Sequence, residues 1–119
     1  MRKIYFLKSC STCKRVMKDF NLGSDFILQD IKEQPITEAQ IEELKNMAGS
    51  YEKIFSKIAM KYRILGLHQK TLSELEYKNY ILQEYTFIKR PILVVDGKIF
   101  IGSARPNLTA AKAALEAIK

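Results

Sequence analysis

The strongest constraint on the fold is a change of hydrophobic period around residue 10. Ile4-Tyr5-Phe6-Leu7 closes a short run of strand formers that begins at Lys3. After the turn Lys8-Ser9-Cys10-Ser11-Thr12, the residues Cys13, Val16, Met17 and Phe20 recur at i, i+3, i+4 and i+7, the spacing of one helix face. A buried strand therefore feeds a helix through a turn that holds Cys10. Cys13 lies one turn inside that helix, and Gly23 is placed to end it.

The rest of the chain extends the pattern. Phe26 to Ile31 reads as a second strand. Thr37 and Gln40 form a capping box for the next helix, Ile36 can staple onto Ile41, and Gly49 closes it. Ile41 and Leu44 mark its core stripe. Ile54, Phe55 and Ile58 predict a short helix within residues 50–65. A further helix runs from Leu72 or Ser73 to Tyr85, with Leu75, Ile81, Leu82 and Tyr85 as core contacts. Its cap is either Thr71 with Glu74 or Ser73 with Glu76. Pro91 to Val95 is a strand, Asp96-Gly97 a tight hairpin turn, and Lys98 to Ile101 the return strand, which Gly102 leaves. Pro106 suits the first position of a last helix, packed through Leu108, Ala111, Leu115 and Ile118. The strand–helix–strand start predicts a parallel pair and the hairpin an antiparallel one. Both fit one α/β domain over residues 1–119, with a mixed four-stranded sheet covered by helices.

Length and charge narrow the function. A chain of 119 residues suits one domain. No segment offers the roughly 20 apolar residues of a membrane span. The apolar run near the N-terminus is short of the about 7–15 residues of a signal peptide. A cytoplasmic protein without membrane contact is expected. The net charge of +7 favours anionic partners such as oxyanions, glutathione or an acidic protein surface. Lys and Arg are scattered rather than run together, so direct nucleic-acid binding is not expected. Two cysteines and the single His68 fall short of the four ligands of a structural zinc site, so no metal or resident cofactor is expected.

The chemistry centres on Cys10. A free thiol has a pKa of about 8.5, and the value falls to about 3.5–7.5 where helix-start amides and cations surround it. Cys10 occupies such a helix start, with Lys8, Lys14 and Arg15 close in sequence. Cys13 lies on a more buried face with fewer free donors. Cys10 is therefore the expected attacking sulfur and Cys13 the resolving one. Inert packing suits Cys13 but not Cys10.

Together these residues resemble the arsenate reductase-like family of the thioredoxin superfamily, which includes glutaredoxin-dependent arsenate reductases and the Spx transcriptional regulators. The resemblance rests on Cys10-Ser11-Thr12-Cys13-Lys14, Thr37-Glu38-Ala39-Gln40, Ile64-Leu65-Gly66-Leu67, Lys89-Arg90-Pro91-Ile92, and Gly102 with Arg105-Pro106. It implies a thioredoxin-like fold in which a helical insertion of about residues 36–88 separates the second strand from a cis-proline strand at Pro91. It also implies that Cys10 attacks the substrate while Arg90 and Arg105 hold negative charge, with Thr12, Lys14 and Pro91 lining the substrate site. Guanidinium forks match tetrahedral oxyanions.

Three positions depart from the reductase pattern. Ser56 stands where the family's first arginine is expected, and Lys57 or Lys61 could supply only a point charge. Phe6 replaces a histidine. Cys13 stands where the arsenate reductases carry serine. The resemblance thus implies an oxidoreductase acting on arsenate or a disulfide, with glutathione as co-substrate and glutaredoxin or thioredoxin as partner. Its alternatives are an Spx-like redox switch that binds the RNA polymerase α C-terminal domain, and a non-catalytic oxidant sensor.

Overall fold

Four short strands hold most of the chain's long apolar runs: β1 Arg2–Phe6, β2 Ile27–Asp30, β3 Ile92–Val95 and β4 Lys98–Ile101. The computed structural model describes residues 1–119, which fall into two units. One is Met1–Pro35 with Arg90–Lys119, and the other is Ile36–Lys89.

In the first unit the strands form one sheet in the order β2-β1-β3-β4. β1 runs parallel to β2, with Lys3 opposite Ile27, and antiparallel to β3, with Tyr5 opposite Ile92. β3 and β4 are the hairpin expected from Asp96-Gly97. Both turn residues take positive φ, 47° and 84°, as a two-residue hairpin turn matched to strand twist requires. β3 is central and buried along its whole length. That is why Ile92-Leu93-Val94-Val95 is uninterrupted apolar sequence rather than an alternation.

Two helices cover this sheet, α1 Ser11–Phe20 and α5 Arg105–Ala117. Val16 and Phe20 of α1 meet Ala111 and Leu115 of α5 over Ile4, Leu93 and Val95. Each large side chain so buried contributes about 1.5–3 kcal/mol. α1 ends two residues earlier than Gly23 predicts. Asn21 takes the left-handed conformation at φ 50° and donates its N–H to the Met17 carbonyl at 3.1 Å. Asn is one of the few side-chain-bearing residues that adopt this region readily. Pro106 occupies the second position of α5, after Arg105.

The second unit holds α2 Glu38–Ala48, α3 Met60–Ile64 and α4 Glu74–Gln83. The α2 capping box is reciprocal: the Gln40 amide donates to Thr37 Oγ1 and the Thr37 amide to Gln40 Oε1, both at 3.1 Å. At α4 the cap is Ser73 with Glu76. Glu74 is used elsewhere, since its carboxylate accepts from the amides of Tyr51 and Glu52 at 2.8 and 3.2 Å.

Within residues 50–65 the expected short helix forms, but at Met60–Ile64 rather than around Ile54 and Phe55. Ile54 closes a turn, its amide donating to the Tyr51 carbonyl at 3.0 Å, and Phe55 bridges Ile88. The Ser56 amide donates to the Phe87 carbonyl at 2.6 Å and the Lys89 amide to the Ile54 carbonyl at 2.8 Å. The Phe55 ring packs 4.9 Å from both Phe87 and Tyr77. These non-local contacts outweigh a weak helical period. Helix forms only from Met60, and Ile58 is left 96% exposed. Leu75 also faces solvent, and Tyr77 and Ile81 supply the buried face of α4. Tyr85–Phe87 is a separate short 3-10 turn.

Two substitutions test this packing by urea unfolding. Thr37→Ala should lower stability by about 1 kcal/mol through loss of the cap. Leu115→Ala should cost about 2–5 kcal/mol. A Leu115→Ala protein as stable as the parent would contradict the position assigned to α5.

Candidate active site

The chain leaves β1 at Phe6 and turns at once. The Cys10 amide donates to the Leu7 carbonyl at 3.0 Å, closing the turn, and the Cys10 carbonyl accepts from Lys14 at 3.1 Å, opening α1. Cys10 is thus the N-cap residue, in extended conformation. Serine is the commoner cap because its oxygen makes a short bond to the free amides. The larger Cys10 sulfur makes no such short bond. Its contacts with the amides of Thr12 and Cys13 nonetheless act on its charge.

The sheet register brings the second component. With Tyr5 opposite Ile92, the start of β3 lies beside the end of β1, where the Cys10 turn begins. Arg90 and Pro91 immediately precede it, so the strand begins one residue later than Pro91 predicts, and the peptide bond between them is cis. The Pro91 carbonyl accepts from the Gly102 amide at 2.8 Å, and the Gly102 carbonyl accepts from Asn107 Nδ2 at 2.8 Å. This chain of bonds ties the first turn of α5, with Arg105 at its head, to the strand end that carries Pro91. Arg105 itself is exposed.

The two thiols have opposite environments. Burial by itself pushes the Cys10 thiol up, but four hydrogen bonds outweigh it. They come from the Cys13 amide, the Cys13 thiol, the Arg90 side chain and the Thr12 amide, and the net direction is below the ordinary thiol value. Cys13 is fully buried. Burial, followed by the charge and hydrogen bond of Cys10, pushes its pKa to about 11, against the opposing pull of the Leu7 backbone and Arg90. Cys10 is only partly covered. The more acidic sulfur is therefore also the reachable one.

Some predicted participants enter differently. The cation that hydrogen-bonds Cys10 is Arg90. Lys8 and Lys14 instead line an open hollow with Leu7, Ser9, Asp30, Lys32 and Glu33. Thr12 acts through its amide rather than its hydroxyl. The Leu7 backbone as a donor to Cys13 was not legible in sequence, because main-chain groups leave no compositional signal. In the second unit Ser56 is buried. Lys57 pairs with Glu52 at 2.6 Å and Lys61 with Glu84, so neither is a spare point charge.

Alkylation mapped by mass spectrometry tests the assignment. Near neutral pH iodoacetamide should label Cys10 and spare Cys13. The Cys10 rate should level off at a lower pH than that of an ordinary thiol. Arg90→Met removes a donor that favours the thiolate, so it should move that midpoint to higher pH. Equal labelling of both sulfurs, or an unmoved midpoint, would contradict the geometry.

The profile of the ArsC family matches residues 5–111 of the chain. A Streptococcus mutans protein described as a possible arsenate reductase is similar at 33% identity, over 88% of this chain and 92% of its own, with a TM-score of 0.63. SACOL0876 from Staphylococcus aureus is similar at 29% identity, over 92% and 97%, with a TM-score of 0.74. The arsenate reductase from Vibrio cholerae shares 20% identity over 91% and 92%, and its TM-score of 0.73 marks a likeness of fold. No curated protein matches the chain. A family profile that runs from β1 into α5, on a thioredoxin-like mixed sheet, makes this chain a member of the ArsC family.

Proposed function

We propose that the chain is a cytoplasmic thiol-dependent oxidoreductase in which Cys10 attacks the substrate and Cys13 resolves the intermediate. The observation that carries this reading is the pair of sulfurs itself. One is partly exposed, with its pKa drawn below the ordinary thiol value by the Thr12 and Cys13 amides and Arg90, and the other is buried and hydrogen-bonded to it. A thiolate is the attacking species in thiol–disulfide exchange.

With a disulfide substrate, Cys10 bonds to one substrate sulfur and releases the other as a thiolate. Cys13 then loses its proton, attacks the Cys10 sulfur and expels the second substrate thiolate. Two electrons pass to the substrate, and Cys10–Cys13 becomes a disulfide. With arsenate, Cys10 displaces an oxygen, which leaves as water. Cys13 attacks the Cys10 sulfur and arsenic departs as arsenite, again with two electrons transferred. Arg90, and Arg105 at the head of α5, would hold the oxyanion. The sheet unit has twelve Lys and Arg against six Asp and Glu, which favours such a substrate. Glutathione, glutaredoxin or thioredoxin would return the disulfide to two thiols.

The departures at Ser56 and Phe6 set the order of testing: disulfide exchange first, arsenate second. Cys13→Ser should accumulate mixed disulfides at Cys10 with protein or small-thiol partners, identifiable by mass spectrometry, and Cys10→Ser should not. The wild type should consume thiols in an arsenate-dependent way if arsenate is the substrate. Absence of turnover with glutathione and glutaredoxin, and with thioredoxin, removes arsenate. Absence of both trapping and turnover removes catalysis. A disulfide that changed affinity for the RNA polymerase α C-terminal domain would then favour a regulator.

A further inference from the structure

From Lys53 to Ser73 the sequence carries five cations, Lys53, Lys57, Lys61, Arg63 and Lys70, and no carboxylate. Within that stretch Ile58, Met60, Ile64 and Leu65 are 96%, 79%, 69% and 52% exposed. Single exposed apolar residues are ordinary on protein surfaces. Four large ones this close in sequence form a patch of the kind that marks an interaction surface.

The local fold explains the exposure. α3 is a little over one turn long, and its inward residue is Tyr62, whose ring meets Phe55 edge-on at 5.8 Å. Met60 and Ile64 stand at i and i+4, so they form one outward stripe, and Lys61 and Leu65 form the next. Arg63 belongs to the same turn and enters no salt bridge among those of the chain. Lys61 touches Glu84 but keeps 54% of its side chain exposed. The face is thus apolar in its body, and Arg63 supplies an unpaired positive charge at its margin.

Three occupants fit poorly. A second copy of a chain with charge +7 brings the same sign to the contact. Nucleic acid would satisfy the cations through its phosphates but gains nothing from Ile58, Met60, Ile64 and Leu65. An amphipathic helix lying in a membrane surface needs far more length than the five residues of α3. An amphipathic helix of opposite charge satisfies both features at once.

We propose that the α3 face docks a protein partner through an acidic amphipathic helix. Its apolar side would cover Ile58, Met60, Ile64 and Leu65, and a carboxylate on its polar side would face Arg63. This proposal does not rest on the cysteine chemistry.

The probe is a fluorescein-labelled synthetic helix of about 18 residues, with Leu on one face and Glu on the other. A control peptide carries Lys in place of Glu. Binding is followed by anisotropy and by amide chemical shifts of the isotope-labelled full chain. The acidic peptide should bind, weaken as salt rises, and shift amides around residues 58–65. Ile64→Asn and Arg63→Glu should each weaken it by roughly tenfold or more. Both side chains are exposed, so the fold and the Cys10 thiolate absorbance should be unchanged. The proposal is overturned if the acidic peptide does not bind, binds no better than the Lys control, or binds both variants as well as the parent. It is equally overturned by shifts centred elsewhere, by tighter binding to duplex DNA or anionic vesicles, or by self-association through this face.

Discussion

The site depends on how one sulfur is held at the start of a helix. The first amides of α1 have no partner within the helix, as at any helix N-terminus. Here the cap residue is Cys10, so the amides of Thr12 and Cys13 turn toward sulfur. A neutral thiol gains little from them, whereas a thiolate gains from each. The same donors that begin the helix therefore lower the proton affinity of the nucleophile. Folding and activation of Cys10 are one event, because neither the amides nor Arg90 converge on that sulfur until β1, α1 and β3 are in place.

The differentiation of the two thiols follows from helix geometry. Three residues after the cap, Cys13 falls on the inward face with Val16 and Phe20 and is fully buried. Burial makes its thiolate costly, and an ionised neighbour makes it costlier. Cys13 thus holds its proton more tightly than Cys10 and donates a hydrogen bond to it. One turn of helix produces a nucleophile and a reserve thiol from the same residue type. Arg90, two residues before β3, donates to Cys10, and its charge opposes the rise of the Cys13 pKa. Pro91 cannot donate to a ladder, which confines it to such a strand start.

Much of this was legible in the sequence, and the failures have physical causes. Strong local signals survived: the Asp96-Gly97 turn, the Thr37–Gln40 box, the period of Cys13, Val16 and Phe20, and the mixed sheet they imply. The cap of α4 was open between two equivalent motifs. Tertiary demand decided it, because Glu74 serves the amides of Tyr51 and Glu52. The short helix expected within residues 50–65 forms at Met60–Ile64 and excludes Ile54 and Phe55, because Phe55 is held by long-range partners, Ile88, Phe87 and Tyr77, that no local window contains. Cys10, Cys13 and Arg90 were identifiable as residues. That Arg90 rather than Lys8, Lys14 or Arg15 donates to Cys10 is a consequence of strand register, and register is a long-range property. Family resemblance supplied Arg90 where proximity in sequence favoured its competitors.

The central claim is that Cys10 and Cys13 titrate on opposite sides of the ordinary thiol value. Its most direct measurement is a pH titration of the reduced protein carrying cysteine labelled at Cβ, with the two resonances followed separately by NMR. The account predicts that the Cys10 signal moves first, at a pH below that of a free cysteine, and that Cys13 moves only near pH 11. Coincident transitions, or Cys13 ionising before Cys10, would contradict it.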